Sequence, residues 1–325
     1  MKKRTFGKNG FDVTEIGLGC WQLGGDWGTV SDKQALEVLE AAHLTGVEFF
    51  DTADVYGDGR SERLVGEFCR VHGVSPLIAT KHGRRGVYPD GYSLEALREG
   101  VEGSCERLGV DRLDLLQLHC IPLEVTRRGE ICGWLDQLVE EGTLRAWGAS
   151  VETVEEGLVF LEQPGCRSLQ VIFNIFRQKP AFELLPKAAA QGVGVIVRLP
   201  LASGLLTGKF TADSTFEGSD HRSYNRDGAA FNVGETFAGL PFEKGVELAD
   251  ELKALVPEGI PMAQWALRWI LDHPEVSVVI PGASSPRQAA GNSSASALPP
   301  LPTEIHEQLR AFYEESVAAQ IRGPY

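Results

Sequence analysis

Phe49-Phe50-Asp51-Thr52-Ala53-Asp54-Val55-Tyr56-Gly57 opens as a short buried strand and breaks into a polar loop closed by Gly57, Gly59 and Ser61-Glu62. An acid and a phenol, five positions apart, leave the end of that strand together. Two further titratable residues end later apolar runs: Lys81 follows Pro76–Thr80, and His119 follows Leu113–Leu118. The fold must therefore be one that carries chemistry at the ends of consecutive strands.

Outward from that stretch the chain alternates. Residues 3–14 read as a hairpin around Gly7-Lys8-Asn9-Gly10, where Asn-Gly supplies positive φ. Ile16–Cys20 reads as a strand, and Ser31 with Gln34 makes a capping-box start for a helix that Gly46 stops. Val47–Phe50, Leu77–Thr80, Leu113–Leu118, Leu144–Ala149, Leu169–Phe173, Val193–Val197 and Val276–Ile280 continue the strands. Helices are expected near 61–72, 93–108, 127–141, 152–162, 180–190, 242–255 and 262–271, and from Ser285. The strand runs are continuously apolar, as parallel strands covered on both faces require. Eight such units without a compositional break, and no G-x-G-x-x-G after a strand, favour a closed barrel over an open doubly wound sheet. The expectation is an α/β fold: a (β/α)8 TIM barrel with an N-terminal β-hairpin and extra C-terminal helices, as one domain over 1–325. It carries a long irregular stretch at about 208–240 and a last helix at about 303–319.

Composition narrows the function classes. The 325-residue chain is 43% hydrophobic and 23% charged, with a formal net charge of −14. That balance argues against nucleic acid or an anionic membrane as partner, since both demand a basic surface. No apolar run approaches the ~20 residues that span a bilayer. Lys2-Lys3-Arg4 is followed by no apolar leader core, so a cytoplasmic location is expected. The six cysteines form no C-x-x-C pair, which points to core residues or free thiols and to no metal site.

Each of the four titratable residues alone has an ordinary explanation: a loop-capping Asp, a loop aromatic, a solvated lysine, a core histidine. Together at neighbouring strand ends they fit proton transfer. Free tyrosine is a poor acid at neutral pH, and an adjacent ammonium lowers its pKa. Asp51 would keep Lys81 charged, Lys81 would tune Tyr56, and His119 would orient the same substrate oxygen. Such a site protonates a carbonyl oxygen while a cofactor delivers a hydride to the carbon.

Asp51-Thr-Ala-x-x-Tyr56-Gly57 with Ser61-Glu62 beyond it, and the spacing to Lys81 and His119, resembles the signature of the aldo-keto reductases. The similarity runs from Gly17-Leu-Gly-Cys-Trp21 to Asn292. It implies reduction of an aldehyde or ketone, with Tyr56 as general acid and NADPH, or alternatively NADH, across the barrel mouth. Cys20 and Trp21 would face the reacting centre, with Trp27 and Tyr88 as further walls. Gln170 matches the residue that holds the carboxamide, with Asn174 beyond it. Ser150 matches half of a usual Ser-Asn pair, and Val151 replaces the Asn. Arg198 stands where many members stack an aromatic on the nicotinamide; a guanidinium plane can stack similarly and adds positive charge there. Pro200, Leu201, Ser203 and Lys209 match the loop around the pyrophosphate, and Arg222 is a candidate phosphate partner from the 208–240 stretch. Gly282, Ser284, Gln288 and Asn292 match the adenosine-phosphate segment, Gly291 replaces a usual Glu, and Arg287 is either a partner for a 2′-phosphate or a solvated residue at a helix start.

Two other readings share parts of this pattern. Some potassium-channel β subunits resemble this fold, so a nicotinamide-binding regulatory subunit with little turnover is the alternative. A metal-dependent hydrolase built on Asp51 and His119 lacks a ligand cluster in the sequence. The partner that the resemblance implies is a small-molecule carbonyl substrate.

Overall fold

Strand and helix alternate as the hydrophobic runs require. The computed structural model describes residues 1–8 and 10–325. The expected hairpin forms from β1 (Lys3–Thr5) and β2 (Asp12–Thr14), with Arg4 opposite Val13. Its expected turn includes Asn9, which lies outside the described residues.

The barrel strands are β3 (Leu18–Gly19), β4 (Phe49–Asp51), β5 (Leu77–His82), β6 (Leu115–His119), β7 (Trp147–Ser150), β8 (Cys166–Ile172), β9 (Gly194–Arg198) and β10 (Val278–Val279). Each pairs in parallel with its neighbour in sequence. Closure comes from single bridges between the first and last strands. Gly17 N donates to Val279 O at 2.8 Å, Val279 N to Glu15 O at 3.0 Å, and Gly19 N to Pro281 O at 3.2 Å.

Around the strands lie α1 (Trp21–Gly24), α2 (Asp32–Leu44), α3 (Arg60–His72), α4 (Leu94–Leu108), α5 (Leu123–Arg128), α6 (Glu130–Glu140), α7 (Val154–Leu161) and α8 (Leu184–Gln191). Then come α9 (His221–Tyr224), α10 (Phe242–Leu252), α11 (Met262–Leu271), α12 (Pro286–Ser293) and α13 (Thr303–Phe312). Among the described residues no helix is long and apolar enough to cross a membrane.

Alternation along each strand separates two cores. Phe50, Ile78, Leu116, Leu118, Leu169 and Val195 belong to the large core between barrel and helices. Phe49, Ala79, Leu115, Ile196 and Val278 form a second cluster with Phe6 and Val13 from the hairpin. The hairpin thus plugs the bottom of the barrel with Phe6, whose ring lies 6.1 Å from that of Phe49. Two residues further along, the same inward positions become Asp51, Lys81, Gln117 and Arg198. The barrel interior is apolar below and ionisable above, where the active sites of this architecture form.

Several boundaries shift for identifiable reasons. The helix expected over 127–141 breaks at Gly129, which adopts φ +77° and separates α5 from α6. The helix expected over 303–319 is regular only to Phe312 and then loosens into a π-turn at Tyr313–Val317. Ser31 does cap α2, but the Gln34 side chain reaches Ser284 O at 2.6 Å instead of returning to the cap. Lys81 and His119 lie within their strands rather than after them.

One close approach sets the Tyr56 loop. Gly57 adopts φ +59°, and a Cβ there would lie 2.1 Å from Gly24 O. A Cβ on Gly24 would lie 2.5 Å from the Tyr56 carbonyl carbon. Two bare backbones therefore meet between α1 and the turn that carries the phenol. Gly57→Ala should destabilise the protein by more than about 1 kcal/mol, since it adds both a clash and a left-handed strain. Urea denaturation checks this; unchanged stability would show that the contact is dispensable.

Candidate active site

Asp51 ends β4 and is 2% exposed, so its charge must be satisfied inside the protein. One carboxylate oxygen binds the Lys81 ammonium. The other accepts from Gln170 Nε2 at 2.7 Å and Gln117 Nε2 at 3.1 Å. Lys81, 1% exposed, uses each of its N–H donors. Besides Asp51 it donates to Thr52 O at 2.8 Å and to Tyr56 Oη at 3.2 Å. Burial pulls the Lys81 pKa down, but Asp51 and Tyr56 together hold it above its ordinary value. The ammonium is thus charged and fully engaged, and it approaches the phenol as a donor. The phenol proton is left free for another acceptor.

The turn after β4 is stapled by the other residues of its motif. Ser61 Oγ donates to Cys20 O at 2.9 Å and accepts from Thr52 Oγ1 at 2.8 Å. Glu62, fully buried, accepts from Thr80 Oγ1 at 2.5 Å and Arg107 Nε at 2.6 Å. These two residues hold the strand ends rather than enter the cavity.

The Tyr56 ring stacks on Trp21 with centroids 5.9 Å apart, and meets the His119 ring edge-on at 5.9 Å. Burial pushes the Tyr56 pKa up to about 12, and the opposing pull of Lys81 does not outweigh it. The expected acidification by Lys81 acts in the right direction and loses to desolvation. His119 is held well below the usual imidazole range, first by burial and then by the charges of Lys81, Arg84 and Arg198. It is a neutral imidazole, with its buried Nδ1 unpartnered among the described residues.

These groups sit at one end of a cavity of about 870 Å³. Asp51, Tyr56 and His119 line it, with Lys81 directly behind them. Of the other residues singled out in the sequence, Trp21, Ser150, Gln170, Arg198, Pro200, Leu201, Ser203, Lys209, Arg222, Gly282, Ser284, Gln288 and Asn292 also line it. Cys20 does not. Its side chain is fully buried in the barrel–helix core and its thiol points back to Leu18 O at 3.6 Å. Adjacent residues at a strand-to-helix junction face apart, so Trp21 reaches the cavity and Cys20 turns away. Tyr88 is exposed under the Arg84 guanidinium and does not line the cavity, whereas Trp27 does. Asn174 is consumed by the backbone, donating to Leu199 O at 2.9 Å and accepting from Phe176 N at 2.9 Å.

The far end of the cavity is the start of α12. Ser285 caps it, Gln288 Oε1 accepts from Ser284 N at 2.8 Å and its hydroxyl at 2.9 Å, and Asn292 Nδ2 donates to Gly282 O at 3.2 Å. The space at Gly291 is open: among the described residues only Gln264 comes within 4.0 Å of where a Cβ would stand. Along the side, Leu199, Ala202, Ser203 and Gly204 all adopt positive φ, a rare run that turns the β9 exit around the cavity. The 208–240 stretch covers the mouth with Phe210, Arg222, Phe231 and Glu235. It is pinned by Asp26, which accepts from Trp21 Nε1 at 3.2 Å and Tyr224 Oη at 2.9 Å. Arg222 is not free: it forms a bidentate pair with Asp220, at 2.9 and 2.5 Å, over the Phe216 ring.

Sequence reasoning missed the acidic wall beside Tyr56. Arg198 pairs with Glu235, and Arg84 with Glu152 at 3.1 Å. Cys120 lies between the two carboxylates, all three within 4.8 Å. Gln117 was also missed, although a lone glutamine in Leu-Leu-Gln-Leu at the inward parity of β6 was a usable signal.

The chain belongs to the aldo/keto reductase family, whose model matches residues 15–314. It is 31% identical to a probable voltage-gated potassium channel subunit beta of Arabidopsis thaliana, over 94% of each chain. It is 28% identical to the NADH-specific methylglyoxal reductase of Escherichia coli, over 91% of this chain and 93% of that one. The solved glycerol dehydrogenase of Gluconobacter oxydans superposes with a TM-score of 0.80 at 28% identity, over 99% and 98% of the two chains.

If Asp51 is what keeps the buried ammonium in place, Asp51→Asn should cost about 3–5 kcal/mol, because Lys81 is left charged and uncompensated. Denaturation of the variant against wild type measures it. A loss under about 1 kcal/mol would show that the pair behaves as an exposed one.

Proposed function

We propose that this protein reduces an aldehyde or ketone to an alcohol with a nicotinamide cofactor, and that Tyr56 is the proton donor. The observation that carries this reading is the Tyr56 phenol: it accepts from the Lys81 ammonium at 3.2 Å, beside a neutral His119, at one end of a long cavity. The residues present suit such a cofactor. The opposite end offers the first turn of α12 to a phosphate, and between the ends Arg198 keeps a buried Nε–H with no partner among the described residues.

Ser150 and Gln170 would hold the carboxamide and Arg198 would flank the ring. Pro200, Leu201, Ser203 and Lys209 would follow the pyrophosphate. Gly282, Ser284, Gln288 and Asn292 would receive the adenosine end, and Arg222, which shares its charge with Asp220, is the candidate phosphate partner. Arg287, exposed at that end, favours the 2′-phosphate of NADPH over NADH. Bound there, the cofactor supplies a hydride to the carbonyl carbon. The chain does the rest. Tyr56 Oη gives its proton to the carbonyl oxygen, and the phenolate left behind is stabilised by Lys81. His119, being neutral, donates a hydrogen bond to the same oxygen without adding a second cation. Trp21, Trp27 and Phe231 keep water from the reacting atoms. A channel-type regulatory role, suggested by the plant relative's name, predicts tight cofactor binding with negligible turnover.

Tyr56→Phe should leave NADPH binding within a few-fold of wild type and lower turnover by roughly 10²–10⁴. Cofactor fluorescence titration beside a carbonyl panel checks both, and near-normal turnover would remove Tyr56 from the role. The pH dependence follows from its raised pKa. Below about 12 the phenol keeps its proton. Carbonyl reduction should therefore show no loss of its acid between neutral and mildly alkaline pH. Alcohol oxidation needs the phenolate and should climb throughout that range. Profiles of kcat in both directions measure this, and a reduction rate that falls with an apparent pKa near 7 would contradict it.

A further inference from the structure

Arg198, at the end of β9, is 8% exposed and lines the cavity. Its guanidinium donates to Val151 O at 2.9 Å, approaches Cys120 Sγ at 3.8 Å and pairs with Glu235. Glu235 is no chance surface partner. It comes from the 3-10 turn Val233–Glu235, which Asn232 ties down by accepting from Gly234 N at 2.7 Å and donating to Glu152 at 2.9 Å. Ser203 Oγ donates to Glu235 O at 3.3 Å, and Arg322 holds the following turn through Gly239 O at 3.0 Å and Leu240 O at 3.2 Å. The long loop is thus built to bring a carboxylate to Arg198. Glu152 does the same for Arg84. The groups of this wall that line the cavity are two cations and two anions, with the Arg177 guanidinium buried behind the Glu235 turn.

We infer that Glu235 sets the redox preference of the cofactor site by cancelling the charge of Arg198. The inference rests on the reading that a nicotinamide lies against Ser150, Gln170 and Arg198. An oxidised nicotinamide ring carries a positive charge and a reduced one does not. A lone guanidinium beside it repels only the oxidised form. At an effective dielectric of about 20 and a separation of several ångströms, that repulsion is worth roughly tenfold or more in affinity. Paired with Glu235, Arg198 would flank the ring with this repulsion removed. Glu235 is a positioning and charge-setting residue, and the oxidised cofactor is its beneficiary.

The test is the ratio of dissociation constants for NADP+ and NADPH, by fluorescence titration and competition, with no turnover required. Glu235→Gln should raise that ratio roughly tenfold. Glu235→Asp, which keeps the charge, should leave the ratio near the wild-type value even where both affinities fall. The double variant E235Q/R198Q, neutral again, should return it towards wild type. A Glu235→Gln variant that weakens both forms equally would reduce Glu235 to a loop anchor and overturn the inference while leaving the reductase reading intact. Wild-type protein that binds neither form would overturn that reading as well.

Discussion

A single ammonium buried among its acceptors governs this structure. Lys81 carries a full charge at 1% exposure, which is tolerable only because a carboxylate, a backbone carbonyl and a phenol take its hydrogen bonds. Each partner comes from the last residue of β4 or the turn that follows it, so the register of β4 against β5 is the same thing as the geometry of the site. Gln117 and Gln170 complete the arrangement by occupying the other carboxylate oxygen. The Ser61-Glu62 staple and the glycine contact between α1 and the Tyr56 turn serve the same end. Function and fold are not separable here: the polar layer sits directly on the apolar floor closed by Phe6.

Much of this was legible because barrel strands alternate strictly. Polar residues that follow an apolar strand run at the parity of Phe49 must enter the barrel, and Asp51, Lys81 and His119 do. Tyr56 was legible from its glycine neighbour and its distance from Asp51. Glu235 was not, since its partner Arg198 lies 37 residues away across irregular chain, and no periodicity links them. Cys20 misled because a strand-to-helix junction turns consecutive side chains in opposite directions. The sign of the Tyr56 shift could not be judged from sequence either. Pairing with Lys81 is a matter of residue type, whereas the desolvation that outweighs it depends on Trp21 and the enclosing loop.

The 208–240 stretch gives the site its cover and its charge balance at once. Its His221 ring packs at a tilt against Trp21 and Trp27, and its Phe231 ring meets Trp21 edge-on. Its acids neutralise Arg198 and Arg222. The chain's own C-terminal tail supports it from behind, with Arg322 paired to Asp227 at 2.6 Å and Tyr325 stacked by Arg177. A cavity that is acid-lined and yet neutral beside Tyr56 is the product of contacts from three distant parts of the sequence.

The central claim is that Lys81 stays protonated in the interior because Asp51 and Tyr56 hold it so. Selective isotope labelling of lysine, with an NMR titration of the Lys81 side-chain resonance, tests this directly. The account predicts a slow-exchanging ammonium whose pKa lies above the ordinary lysine value of 10.5. A Lys81 that loses its proton near neutral pH, as an unpaired buried lysine does, would contradict it.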